Sequence, residues 1–353
     1  QPQPNAAGSK SIGNGLNQFS DPYGLAVDAS GALYIADRNN DRVMKYNPGA
    51  TSGIIVAGNG TAGSGLNQLN HPSNIFIDVH DNLYVLDDLN NRVMKYTPGA
   101  TSGTIVAGGN GFGNAANQIY GANDIFVTSN GDVYVAEYAK VSKWAPGATT
   151  GVLAVGTGNY GHTSTQIGGV NSIFINTAGD IYLTDGDGSV AGTSVARIVK
   201  FPAGSNVCTT IAGGMISGTS NNQFNYPNDI SLDANGDLIV FDYLNNRIVK
   251  WPAGASSGTT IVSNSGICNI PGGWCAARHM FFDPQTNNIF MSTFNEDVKK
   301  WSLIVPYTLT ASTPGNYSIT VTNNIGCSAS ASLVVNDPVT PTVHITGNTN
   351  QIC

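Results

Sequence analysis

An all-β fold of six repeated four-stranded units, a six-bladed β-propeller, is predicted by three observations. The first is composition: of 353 residues 43 are Gly and 16 Pro, and only 10% are charged, well under the usual share of about 25%. Such a chain builds its surface from Asn, Ser, Thr and Gly and suits many short strands joined by Gly-rich turns. The second is a long-period repeat. An apolar-apolar-x-polar strand ending falls at Asp28, Asp78, Thr128, Asn176, Asp233 and Asp283, at spacings of 50, 50, 48, 57 and 50 residues. A Lys-aromatic pair keeps the same register at Lys45-Tyr46, Lys95-Tyr96, Lys143-Trp144, Lys200-Phe201, Lys250-Trp251 and Lys300-Trp301. The third is that β-branched and aromatic residues alternate inside each unit, in runs bounded by Asn, Asp and Gly, as strands and hairpins require. Self-similarity at periods of about 20–50 residues marks solenoids and propellers.

The clearest unit runs from Pro227 to Trp251 as PNDISLDANGDLIVFDYLNNRIVKW. It predicts a first strand at 230–233, an Ala-Asn-Gly turn, a second strand at 237–242, an Asn-Asn corner and a third strand at 247–251. A fourth strand is expected between units, at 53–56, 103–106, 151–155, 209–211 and 259–262. A Gly lies ten residues before a Gln in five units, at Gly8/Gln18, Gly58/Gln68, Gly108/Gln118, Gly156/Gln166 and Gly213/Gln223, and the Gln reads as a loop cap. This unit and PYGLAVDASGALYIADRNNDRVMKY at 22–46 resemble NHL repeats, in register over residues 5 to 301. The resemblance implies a closed ring of six blades. The usual fourth strand is missing after Trp301, and Gly8 holds the register of Gly58. The residues ahead of Gly8 are therefore expected to supply the outer strand of the sixth blade, removing a sheet edge and tying the chain ends together.

Some repeated polar residues read as scaffold. The second strand ends in an acid (Asp37, Asp87, Glu137, Asp185, Asp242) and the third begins with a base (Arg42, Arg92, Lys140, Arg197, Arg247). The sixth unit has Thr293 and Asp297 there, so acid and base are lost together. That joint loss predicts that they pair, in buried charge-assisted bonds recurring from blade to blade.

Function is expected where the units differ. The two residues ahead of each inner strand are Tyr23-Gly24, Ser73-Asn74, Asn123-Asp124, Asn171-Ser172, Asn228-Asp229 and Arg278-His279. In a propeller these open on the central channel. Tyr23, Asn74, Asn123, Asp124, Asn171, Asn228, Asp229, Arg278 and His279 form a polar ring that suits hydrogen bonding to a sugar or peptide, or a hard cation such as calcium; the alternative is a hydrated mouth with no ligand. The sixth unit adds Trp274 beside Cys268 and Cys275, whose disulfide would stiffen a short loop and present Trp274 and Arg278, residue types favoured at contacts. Asp185 and Asp187 start an Asp-x-Asp-Gly stretch like that of a calcium loop, without a Glu at its twelfth position, so a surface turn is the competing reading.

After the repeats, residues 302–336 carry YTLTASTPGNYSITVTNNIGCSASASLVV, read as three strands. This resembles part of the Ig-like modules strung in tandem along bacterial surface proteins, notably of the Bacteroidota. Residues 337–353 read as a linker and the start of a further such module, with Cys327 and Cys353 pairing elsewhere. The domain organisation expected is thus 1–301, 302–336 and 337–353.

The formal net charge of −7, with no run of Lys or Arg, argues against nucleic acid, and no apolar run approaches the roughly 18 residues of a membrane span. Five Cys in a Thr- and Asn-rich chain suit an oxidising, extracellular setting, the odd number leaving one over. The reading is a binding or display module of a large secreted or cell-surface, adhesin-like protein, its ligand a protein, peptide or glycan at the channel mouth, with no cofactor. The alternative is a calcium-dependent hydrolase resembling gluconolactonase-type propellers, a resemblance that implies Asn171, Asn228 and Asp229 as metal ligands and leaves the general base unassigned. Peptide-amidating lyases share the repeat but gather several His around zinc, whereas His279 alone holds a channel position here.

Overall fold

The computed structural model describes residues 6–9, 11–186, 194–263 and 277–303, together with strands between 307 and 345. It divides into two compact units, one ending at Trp301 and one spanning Ser302–Cys353.

In the first unit five antiparallel sheets of four strands and one of three follow each other along the chain. Each is a meander from an inner to an outer strand. The inner strands are Pro22–Val27, Pro72–Ile77, Ala122–Val127, Ile173–Ile175, Pro227–Leu232 and Ala277–Asp283. Each touches the next, and the last touches the first, so six blades close a ring. Three of the Asn-Asn corners are short 3-10 turns, Arg38–Asn40, Asp88–Asn90 and Tyr243–Asn245, each followed by one residue in the left-handed region: Asp41, Asn91 and Asn246. Asn and Asp tolerate that conformation better than other side chains, which is why the corner is written with them.

The core lies between blades. Val85, Met94 and Tyr96 of the second blade pack on Tyr34, Ala36 and Val43 of the first, and Phe224, Ile230 and Val240 of the fifth on Ile198 and Ala212 of the fourth. The predicted acid-base pairs are present: Arg42 Nε–Asp37 at 2.8 Å, Arg92 Nε–Asp87 at 2.7 Å, Lys140–Glu137 at 3.3 Å, Arg197–Asp185 at 2.7 Å and Arg247 Nε–Asp242 at 2.7 Å. The Arg42 guanidinium also donates to the carbonyls of Asn14, Gly15 and Gln18, so the pair fastens the long loop entering the blade. In that loop Gln18 Oε1 accepts the Gly15 N–H at 3.3 Å. The sixth blade substitutes a Thr293 hydroxyl donating to Asp297. Ring closure is supplied by the N-terminal segment, where Ala6 N–H donates to Val298 O at 2.7 Å and Val298 N–H to Ala7 O at 3.0 Å.

The second unit holds, among the described residues, four strands in two antiparallel pairs, short of the seven in a full Ig sandwich. Gly315–Thr322 pairs with Ser328–Val335, and Tyr307–Thr310 with Thr342–Ile345. Strands that the sequence assigns to separate modules therefore share one sheet. Cys327 and Cys353 lie outside the described residues.

Candidate functional site

Five of the inner strands begin about three residues earlier than the sequence predicts, at Pro227 rather than 230 in the fifth blade, whereas the fourth begins at Ile173 as expected. Pairing with the second strand then slips, as between Pro227 and Asp229 or between Pro72 and Asn74. A bulge of this kind re-aims side chains at the strand end. One residue per blade then stands at the corresponding position beside the channel, Gly24, Asn74, Asp124, Ser172, Asp229 and His279, the fourth without a bulge.

These residues close the channel with a buried polar ring whose members reach from blade to blade. Asn74 Nδ2 donates to Asp124 Oδ1 at 2.6 Å. Asp124 Oδ2 accepts the Ile173 N–H at 2.8 Å, Ser172 Oγ the Ile230 N–H at 3.3 Å, and Asp229 Oδ2 the Met280 N–H at 3.0 Å. His279 Nε2 lies 3.0 Å from Asp229 Oδ1 and 3.3 Å from Asn74 Nδ2. The first blade contributes Gly24 because there is no room for more: a Cβ there would sit 2.6 Å from the Asn74 Cα and 2.8 Å from the Ser73 carbonyl.

Burial sets the electrostatics of the ring. Among the described residues no Lys or Arg pairs with Asp124 or Asp229. Desolvation pushes both carboxyls up to about 7, Asp229 adding to the rise at Asp124. It pushes the His279 imidazole down to about 4, against the pull of Asp124. Near neutral pH His279 is thus uncharged while the two carboxyls are only partly ionised, as burial without counter-charges dictates. The His279 Nδ1 is buried and has no partner.

Outside the ring the channel opens into a mouth of about 290 Å³, lined by Tyr23, Asn123, Asn171, Asn228, Arg278 and Phe294 with Tyr226 and Tyr243, and bounded at its base by Asp229 and His279 of the ring. Asn123 Nδ2 donates to Val170 O at 2.7 Å, and Asn228 Nδ2 to Arg278 O at 3.2 Å and Asp229 Oδ2 at 3.0 Å. Tyr226 donates its hydroxyl to Asn171 Oδ1 at 3.2 Å, while Asn171 Nδ2 is buried with no partner. Arg278 lies over the Phe294 ring at 3.6 Å and pairs with Asp21 at 2.6 Å. Burial pushes the Tyr23 hydroxyl up to about 12, with Asp229 adding to it.

Nine of the residues singled out in the sequence, Tyr23, Asn74, Asn123, Asp124, Asn171, Asn228, Asp229, Arg278 and His279, are thus brought to the ring or the mouth. Trp274, Cys268, Cys275 and Asp187 lie outside the described residues. Asp185 is fully buried. It accepts from Arg197 Nε at 2.7 Å and the Gly168 N–H at 2.9 Å, and faces His162 Nδ1 at 2.8 Å. Both its oxygens are committed to scaffold, which leaves it no place in a surface cation site. The sequence reading missed Tyr226, Tyr243 and Phe294. Two of these carry a signal: the slot just after the repeated acid holds Arg38, Asp88, Tyr138, Gly186, Tyr243 and, after Thr293, Phe294, and a slot that varies beside a fixed one is where a rim would be sought.

The donor set implied for calcium, Asn171, Asn228 and Asp229, fits that ion poorly. Calcium takes 6–8 oxygens, whereas the one carboxylate here has Oδ2 filled by two N–H donors and Oδ1 against His279, and the Arg278 cation lines the same mouth.

Fold and repeat together define the class: a six-bladed β-propeller carrying the NHL repeat, whose family matches residues 224–251. Solved structures resemble the chain at the level of the fold. A gluconolactonase from Xanthomonas campestris superposes with a TM-score of 0.57 at 12% identity, covering 81% of this chain and 87% of its own. A protein of unknown function from Bacteroides thetaiotaomicron gives 0.61 at 12%, covering 84% and 74%. Virginiamycin B lyase from Staphylococcus aureus gives 0.52 at 14%, covering 82% and 98%. No curated protein matches the sequence.

Proposed function

We propose that the propeller is a non-catalytic binding module of a secreted or cell-surface protein, and that its channel mouth takes an uncharged, hydroxyl-rich ligand, a glycan. The observation that carries this reading is the concave mouth itself, where Asn123, Asn171 and Asn228 stand among three Tyr. Amides give the paired donors and acceptors that sugar hydroxyls need, and Tyr rings offer flat faces to their C–H surfaces. A cavity of this size holds one or two sugar units. The low charge of the chain, its Thr- and Asn-rich surface and the strand-rich segment after Trp301 support an extracellular setting with further modules of the same polypeptide. The hydrolase alternative shares its fold with the gluconolactonase but rests on a calcium set that fits poorly.

Saturation-transfer NMR against mono- and disaccharides tests the proposal. Binding of at least one sugar is expected, weakened about tenfold or more by Asn171→Ala, which removes an amide of the mouth, and by Tyr243→Ala, with the melting temperature held. Binding that survives both changes would remove the mouth as the site. Calcium is expected to leave the melting temperature unchanged. An upward shift abolished by Asp229→Asn would instead favour the hydrolase.

A further inference from the structure

Beneath the polar ring, on the side away from the mouth, the channel continues as a half-open cavity of about 300 Å³. Its floor is the ring itself, Asn74, Asp124, Ser172, Asp229 and His279, and its walls are apolar, with Phe76, Phe126, Phe174 and Met280 among them. The three Phe rings form a row, with centroids 5.1 Å and 5.6 Å apart.

Two carboxyl groups end at this floor with no cationic partner among the described residues, and the one imidazole between them leaves its Nδ1 without a bond although only 7% of His279 is exposed. A buried acceptor without a donor costs free energy that a ligand donor would recover. The floor offers carboxylate oxygens, and the walls offer aromatic faces. An ammonium group can use all of these together, since it donates up to three hydrogen bonds and is attracted to ring faces. A divalent metal is a poorer match, because it needs six or more oxygens where an ammonium is held by one or two acceptors with free lone pairs. Asp124 Oδ1 already accepts from Asn74 and Ile125, Asp124 Oδ2 from Ile173, and Asp229 Oδ2 from Asn228 and Met280, so few oxygens are free to coordinate.

We propose that this chamber is a second ligand site, selective for an organic ammonium ion with a compact apolar body, the ammonium lying against Asp229, Asp124 and His279 and the body against Phe76, Phe126 and Phe174. The chamber shares Asp229 and His279 with the mouth, but its aromatic walls belong to it alone.

Isothermal titration of the full chain with benzylammonium, and with benzyl alcohol as its uncharged counterpart, tests this. Saturable one-to-one binding of benzylammonium is expected, about tenfold or more tighter than that of the alcohol. Asp229→Asn keeps the acceptor for Met280 N–H and is expected to abolish the preference, whereas Tyr243→Ala, a change in the mouth, leaves it intact. Equal binding of the two probes by the wild-type chain, or no binding of benzylammonium at all, would overturn the proposal without reference to any variant. Should Asp229→Asn fail to fold, Asp124→Asn carries the same expectation. A preference that persists through the carboxyl change would place the cation elsewhere and equally overturn it.

Discussion

At the residue scale the polar ring is a set of groups whose charge the fold suppresses, and this has a measurable consequence. Asp124 and Asp229 rise from 3.8 to about 7 on folding. A carboxyl raised in the folded state contributes stability that is complete below its unfolded value and is lost as pH climbs through the folded one. His279 falls from 6.5 to about 4, so its contribution is complete above 6.5 and is lost as pH falls through 4. Between these limits two carboxyls pull one way and one imidazole the other. The folded chain then holds one proton more than the unfolded chain at these sites, and stability falls by about 1 kcal/mol per pH unit. Asp229→Asn removes one of the two carboxyls and is expected to flatten that slope. Melting temperatures of both proteins from pH 4.5 to 6.5 decide the matter, and parallel curves would show that the ring does not titrate this way. Asp28, lowered to about 2 beside Lys45, acts below this window, whereas burial also raises Asp37, Asp87, Asp242 and Glu296, so it is the difference between the two curves that reads the ring.

At the scale of the element, the buried acid-base pair is what turns an Asn-Asn corner into a blade edge. Asp37 is completely buried and Arg42 nearly so, and the guanidinium spans the second strand, the third strand and three carbonyls of the entering loop. Arg42→Ala strands a carboxylate in the core and frees that loop, and is expected to cost about 3–5 kcal/mol, read as a shift in urea midpoint. A loss below about 1 kcal/mol, the range of exposed pairs, would mean that the loop holds itself. The pair was legible in the sequence because it recurs in five blades and vanishes as a unit in the sixth. The ring position was legible as a place but not as a depth. Sequence put Asn228 and Asp229 together ahead of the strand, whereas the bulge after Pro227 keeps Asn228 at the mouth and sets Asp229 in the ring that faces both the mouth and the chamber. Nor did alternation show that Tyr226, Tyr243 and Phe294 would line one mouth, since the two Tyr lie in turns at one end of the fifth blade and Phe294 in a turn of the sixth.

At the scale of the whole molecule, a propeller is only as stable as its closure, because each blade buries its faces against two neighbours and the first and last must find each other. Here the first blade meets the sixth through Leu25, Ile35 and Met44 against Phe290 and Val298, with Phe19 completely buried among them. The Ser292 hydroxyl adds a bond to Tyr23 O at 2.8 Å. The N-terminal segment then covers the outer edge of the sixth blade, with Ala7 at 5% exposure beside Val298. The sequence anticipated this from a single missing strand after Trp301. Removing residues 1–8 would expose the backbone of the 298–302 strand as an open edge, the kind of edge that invites pairing with another chain, while leaving every other blade whole. The expected outcome is a lower melting temperature together with concentration-dependent association, followed by light scattering; Val298→Pro, which blocks the same backbone donor without deleting any residue, should lower stability as well. A truncated protein that melts with the wild type and stays monomeric would mean that side-chain packing between the first and sixth blades closes the ring unaided.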